Sequence, residues 1–147
     1  MSLKEKLADD LKTAMKEKNV VRKNVVQLIR AGVLQIEKDK KVVLDDEGVL
    51  DVIAKQLKQR RDSLPDYEKS GREDLIAELK AEMDVLMEYL PEQLSYEEIE
   101  QIVRAAVEKT GASSMKDMGK IMAAVMPETK GRADGKVINE IAKSLLS

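Results

Sequence analysis

Apolar side chains recur along this chain at spacings of three and four, and no stretch alternates apolar with polar as a half-buried strand must. That regularity restricts the fold to amphipathic helices packed on one another, an all-α class. Leu3, Leu7, Leu11, Ala14 and Met15 mark a first helix, and Val21, Val25, Leu28, Ile29, Gly32 and Ile36 mark a second after a break at Asn19. Lys40-Lys41-Val42-Val43-Leu44 interrupts the pattern. Asp45 then has the side chain to cap a third helix, with Leu44 and Val49 spaced as a hydrophobic staple and Val49, Val52, Ile53 and Leu57 as the buried face. Pro65 lacks a backbone donor and predicts a kink or a restart, and Gly71 predicts the stop. From Arg72 onward, Leu75, Leu79, Met83, Leu86 and Leu90 form the stripe of a fourth helix, widened by Ile76 and Met87 and ended by Pro91.

Leu90-Pro91-Glu92-Gln93-Leu94 reads as a domain boundary, because Ser95 and Glu98 open the next helix as a capping box. The sequence thus predicts a four-helix domain over residues 1–93 and a three-helix domain over 94–147. In the latter, Ile99, Ile102, Val103, Ala106 and Val107 line a helix that stops at Thr110-Gly111. Ser114 opens the next, whose apolar face Ile121, Met122, Val125 and Met126 runs to Pro127, and Asp134 caps a last one carrying Val137, Ile138, Ile141, Ala142 and Leu145.

Composition narrows the chemistry. The 147 residues include no cysteine and no histidine, which removes disulfides, thiolate nucleophiles, imidazole bases and the usual zinc ligands together, so neither a metal nor a cofactor is expected. A serine nucleophile would need an activating lysine and an oxyanion hole, for which no signature is present. The first ten residues mix charge throughout, unlike a secretory leader, and no run approaches the roughly 20 apolar residues of a membrane span, so the expected compartment is the cytoplasm, with no membrane contact. Three tyrosines, with no phenylalanine or tryptophan, leave no base-stacking platform; an RNA ligand would be read through its backbone. Charge is uneven: 11 basic against 6 acidic residues over 1–44, 7 against 14 over 45–94, and 8 against 8 over 95–147. A net charge of −2 argues against a general nucleic-acid coat and leaves room for a local basic surface.

Such a surface has one prominent candidate. In Lys130-Gly131-Arg132-Ala133-Asp134-Gly135-Lys136, three cations alternate with two glycines at the start of the last helix. Read plainly, Gly131 ends one helix with positive φ, Asp134 caps the next, and the cations keep a loop soluble. Read functionally, Lys130, Arg132 and Lys136 meet phosphate, backbone N–H groups near Gly135 add hydrogen bonds, and Lys120 and Lys143 extend the patch. The spacing is not that of a P-loop, which needs Gly-x4-Gly-Lys-Ser/Thr after a strand. Lys55, Lys58, Arg60 and Arg61 form a second basic cluster, for which pairing with Asp51, Asp62 or acids of the fourth helix is the expected fate and contact with an RNA backbone the alternative. Lys4, Lys12, Lys16 and Lys23 read as a solvated face, and Glu78, Glu82 and Glu88 as ordinary acids of a charged helix. Met118, Met122 and Met126 are four apart and read as core, with a pliable surface for a protein partner as the alternative.

The Met118-Gly119-Lys120-Ile121-Met122 stretch, the Lys130–Lys136 turn and the Val137-Ile138-Asn139-Glu140-Ile141 that follows resemble the end of the GatB/YqeY family. Asp45-Asp46-Glu47, Lys55-Gln56-Leu57-Lys58-Gln59-Arg60 and Glu88-Tyr89-Leu90-Pro91-Glu92-Gln93-Leu94-Ser95 extend the resemblance over nearly the whole chain, as in the free-standing YqeY-like members. Pro65 departs from a family pattern that often continues the third helix without proline. In larger relatives a domain like this is the tail of the B subunit of the bacterial amidotransferase acting on Glu-tRNA(Gln) or Asp-tRNA(Asn), where it helps hold tRNA while other domains do the chemistry. The resemblance implies a non-catalytic accessory module for structured RNA, with tRNA the expected partner and Lys130, Gly131, Arg132, Gly135, Lys136, Lys120 and Lys143 as contacts. A protein–protein adaptor on an aminoacyl-tRNA enzyme is the alternative. A carbon–nitrogen ligase or amidase activity with glutamine as amido donor is a family-level label for which this chain offers no catalytic residues.

Overall fold

The computed structural model describes residues 1–146, and among these the regular structure is entirely helical, as the periodicity predicts. The chain divides into two compact units, Met1–Leu90 and Pro91–Ser147.

The first unit holds α1 (Leu3–Lys16), α2 (Val20–Lys40), α3 (Asp46–Ser70) and α4 (Glu73–Tyr89). Side chains fix the helix starts: Ser2 Oγ accepts from the Glu5 N–H at 3.1 Å, Asn19 Oδ1 from Arg22 at 3.1 Å, and Asp45 Oδ1 from Gly48 at 2.9 Å. Each satisfies one of the orphan donors of a helix N-terminus. The stripes converge on one core, built from Leu7 of α1, Val25, Val26, Ile29 and Val33 of α2, Val49, Val52, Ile53 and Leu57 of α3, and Val85, Leu86 and Tyr89 of α4, with Leu44 packed at its margin. Fully burying a side chain such as Ile29 or Leu86 contributes about 1.5–3 kcal/mol. Gly32 lets α2 approach α3 closely: a Cβ there would stand 3.0 Å from Val52 Cγ1 and 3.1 Å from Gln56 Nε2. Gln56 uses that closeness, donating from Nε2 to the Leu28 carbonyl at 3.0 Å.

Two sequence expectations change here. Helix α3 runs as one element through Pro65 to Gly71, which closes it at φ 70°, so there is no restart. Pro65 withdraws a single backbone donor, the one directed at the Arg61 carbonyl a turn earlier, and the bonds on either side keep the helix continuous. Leu28, placed by spacing on the buried stripe of α2, is 51% exposed.

The second unit holds α5 (Tyr96–Thr110), a 3-10 turn (Met115–Asp117), α6 (Met118–Thr129) and α7 (Gly135–Leu146). The predicted capping box is present: Ser95 Oγ accepts from the Glu98 N–H at 3.2 Å, and Glu98 Oε1 accepts from the Ser95 N–H at 3.0 Å. Glycine in the left-handed region ends α5, with Gly111 at φ 68°. Ile99, Val103, Ala106, Ile121, Val125, Ile138, Ile141 and Ala142 form the core of this unit. Met118 and Met122 pack against it, whereas Met126, the third methionine of the stripe, is exposed. Pro127 lies within α6, which continues to Thr129, whose buried hydroxyl donates to the Val125 carbonyl at 2.9 Å.

Candidate functional site

The turn between α6 and α7 is built by its own side chains and by the segment that opens the second unit. Lys130 closes α6, and Gly131 follows at φ 72°, a left-handed value that a Cβ would strain. Asp134 caps α7: its Oδ1 accepts from the Lys136 N–H at 3.0 Å, and its carbonyl accepts from Val137 and Ile138.

Arg132 is the centre of this construction. Its Nε donates to the Glu92 carbonyl at 3.1 Å, and its Nη1 donates to the Glu128 carbonyl at 3.2 Å. The Leu94 N–H donates to the Arg132 carbonyl at 2.8 Å, and Gln93 Nε2 donates to the Gly131 carbonyl at 2.8 Å. Two segments singled out separately in the sequence, Pro91–Leu94 and Lys130–Lys136, are therefore one hydrogen-bonded object. The Arg132 charge reaches Glu98 as well. That carboxyl is held below its usual range, first by the Ser95 N–H, then by the Ser95 hydroxyl, with a contribution from Arg132.

Of the remaining predicted contacts, Lys130, Gly135 and Lys136 lie on the turn itself, whereas Lys120 and Lys143 lie toward the opposite ends of α6 and α7. Lys130, Gly135 and Lys136 are exposed, and nothing stands within 4 Å of a Cβ built on Gly135. Lys120 sits in the first turn of α6 and pairs with Asp117 at 3.7 Å; Lys143 is exposed in the last turn of α7. Asp117 is held below its usual range mainly by the Ser113 N–H, with Lys120 contributing. Because Asp134 already takes the N–H groups of Lys136, Val137 and Ile138, an anion at this turn would be held by lysine side chains more than by the start of α7.

In the first unit, several of the charges singled out in the sequence are paired. Arg60 reaches Glu82 through Nε at 3.2 Å and Nη2 at 3.1 Å, and Lys58 pairs with Asp62 at 3.4 Å. Arg22 meets Glu88 at 2.6 Å, and Lys4 meets Glu37. Buried Tyr89 donates its hydroxyl to Asp10, with the Lys6 ammonium 5.4 Å from the ring centroid. No sequence signal pointed to the Tyr89–Asp10 pair or to the Arg132 clamp, since each joins residues far apart along the chain.

Fold and site together define a two-unit all-α protein whose second unit presents a clamped basic turn. The family described as Yqey-like protein matches residues 4–146, and the chain belongs to this YqeY family. It is similar to the altered inheritance of mitochondria protein 41, mitochondrial, of Pyrenophora tritici-repentis, at 32% identity over 87% of this chain and 71% of that protein. Proteins of the same name from Vanderwaltozyma polyspora and Kluyveromyces lactis are 31% and 38% identical, over 76% and 56% of this chain and 64% and 45% of theirs. These names overturn the cytoplasmic expectation, because the relatives are mitochondrial proteins. Mixed charge in Met1–Asp10 excludes a secretory pattern in that stretch, where α1 begins, and carries no information on other compartments.

Proposed function

We propose that this protein is an accessory RNA-binding module that takes the backbone of structured RNA, tRNA above all, on the turn between α6 and α7. Lys130 and Lys136 supply the phosphate contacts, Lys120 and Lys143 extend the patch along α6 and α7 away from the turn, and the glycines at 131 and 135 keep side-chain bulk away from the approaching backbone. Arg132 adds its charge while holding the turn in shape. The observation that carries this reading is the clamp itself: hydrogen bonds from Arg132, Gln93 and Leu94 fix the segment that places Lys130 and Lys136 in solvent. A turn backbone fixed in advance spares the cost of ordering that segment when its lysines meet phosphate. Family membership supports the same assignment, given the resemblance to an amidotransferase tail. The names of the relatives favour a mitochondrial setting for it.

The test is binding to a mixed tRNA pool across a salt series, for the wild type beside a Lys130→Ala/Lys136→Ala double variant. Arg132 is left in place so that folding and contact are not confounded. Wild-type affinity is expected to fall steeply with salt, by a slope of about −0.7 to −0.9 per phosphate neutralised, and the double variant should lose roughly two contacts' worth of that slope. Absence of wild-type binding at low salt would sink the proposal.

A further inference from the structure

Helix α2 carries an apolar stripe that the first unit does not cover. Val20 is 61% exposed, Leu28 51% and Leu34 65%, with exposed Ala31 between the last two. Along one wall of this stripe, α4 contributes Glu78 and Glu82, and together with Val20, Leu28 and Ala31 they line a groove of about 510 Å³. Glu82 is shared with Arg60, while exposed Glu78 has no ion-pair partner among the described residues. Leu75, one turn before Glu78 on α4, is also exposed. The segment that carries both acids, residues 45–94, is itself net acidic, with 14 acidic against 7 basic groups. On the far flank of α2, Arg30 lines a separate, smaller cavity with Lys4 and Glu37.

The α2 side of the groove runs from Val20 to Ala31, about 17 Å at 1.5 Å per residue or three helical turns, while Leu34 continues the exposed stripe into the cavity beside Arg30. A floor of that length, apolar at Val20, Leu28 and Ala31, interrupted by Asn24 and Gln27, and edged by the unpaired Glu78 carboxylate beside Glu82, selects its complement by shape and charge: an amphipathic helix with aliphatic side chains every three or four residues and lysine or arginine along one flank. We propose that the α2–α4 groove is a docking site for a basic amphipathic helix of a partner protein. This surface lies in the first unit, uses none of the residues of the basic turn, and stands or falls independently of RNA binding.

The probe is a fluorescein-labelled 18-residue helix with a leucine stripe, lysine along one flank and glutamine elsewhere; its control replaces lysine by glutamate. Anisotropy titrations use the full chain, the surface variants Leu28→Ser and Glu78→Lys, and circular dichroism to confirm that each variant is folded. The lysine helix should bind, more than tenfold more weakly to each variant, and the glutamate helix should not compete. Affinity should drop with salt, and less so for Glu78→Lys than for the wild type. No binding of the lysine helix, or equal binding to folded Leu28→Ser and Glu78→Lys, would overturn the proposal. So would sedimentation showing that the free protein is a dimer dispersed by Leu28→Ser, which would assign the stripe to a second copy.

Discussion

The guanidinium of Arg132 donates to the main-chain carbonyl of Glu92, 40 residues earlier in the chain, at 3.1 Å. With the second bond to Glu128 it fastens the entry of the second unit to the turn that separates its last two helices. Basic character at Arg132 is thus architectural before it is electrostatic.

Arg132→Ala should therefore destabilise the second unit by about 1–2 kcal/mol, the lower part of the range for charge-assisted bonds, because the freed carbonyls can be rehydrated. Native-state hydrogen exchange reads this locally: the Leu94 amide, which donates to the Arg132 carbonyl, should exchange about tenfold faster if local stability falls by about 1.4 kcal/mol. Lys136→Ala, at an exposed site, should leave stability within about 0.5 kcal/mol of wild type.

Two glycine-to-alanine changes should move stability in opposite directions. In Gly32→Ala the helix propensity gain of about 1 kcal/mol opposes an overpacking cost of about 1–3 kcal/mol. The new Cβ stands 3.0 Å from stiff Val52 and 3.1 Å from the hydrogen-bonded Gln56 amide, so the cost wins and urea midpoints should fall. In Gly119→Ala nothing lies within 4 Å, and the same propensity term should raise stability by about 0.5–1 kcal/mol.

Acid should weaken the first unit through Glu37. Its carboxylate pairs with Lys4 and accepts the Leu44 N–H at 2.7 Å, and these two interactions, in that order, hold it below the ordinary value of 4.5. The folded state binds its proton less readily than the unfolded chain, so this contribution is present above about 4.5 and is lost as pH falls through the lower folded value. Urea midpoints measured from pH 7 to pH 3 should decline less for Glu37→Gln than for wild type; equal slopes would refute the assignment.

Alkali should act through Tyr89. Burial first, and then its bond to Asp10, raise the phenol above the ordinary 10.0. The folded state retains that proton longer than the unfolded chain, so stability is unaffected below pH 10 and falls as pH rises beyond it. Tyr89→Phe should cost about 0.5–1.5 kcal/mol at pH 7 through the lost hydrogen bond, and should flatten the decline between pH 10 and pH 11 in urea titrations.

What the amino-acid sequence determined by itself is local and periodic. Asp45 and Ser95 announce their helices because a cap needs only residues two or three positions away, and Gly71, Gly111 and Gly131 take the left-handed values that their positions at helix ends require. The family likewise shows in the sequence, since its motifs are contiguous strings. Spacing says which residues share a helix face and is silent on whether that face finds a partner: Leu28, Met15 and Met126 sit on predicted stripes and stand in solvent. Pro65 reads locally as a kink or a restart, and the helix passes through it without a restart because proline removes one bond of the ladder and leaves its neighbours. The tertiary structure alone decided that Gly32 is a contact point for α3, that Tyr89 answers Asp10, and that Arg132 reaches Glu92. Each of these joins residues separated by tens of positions, where packing geometry rather than local propensity chooses the partner.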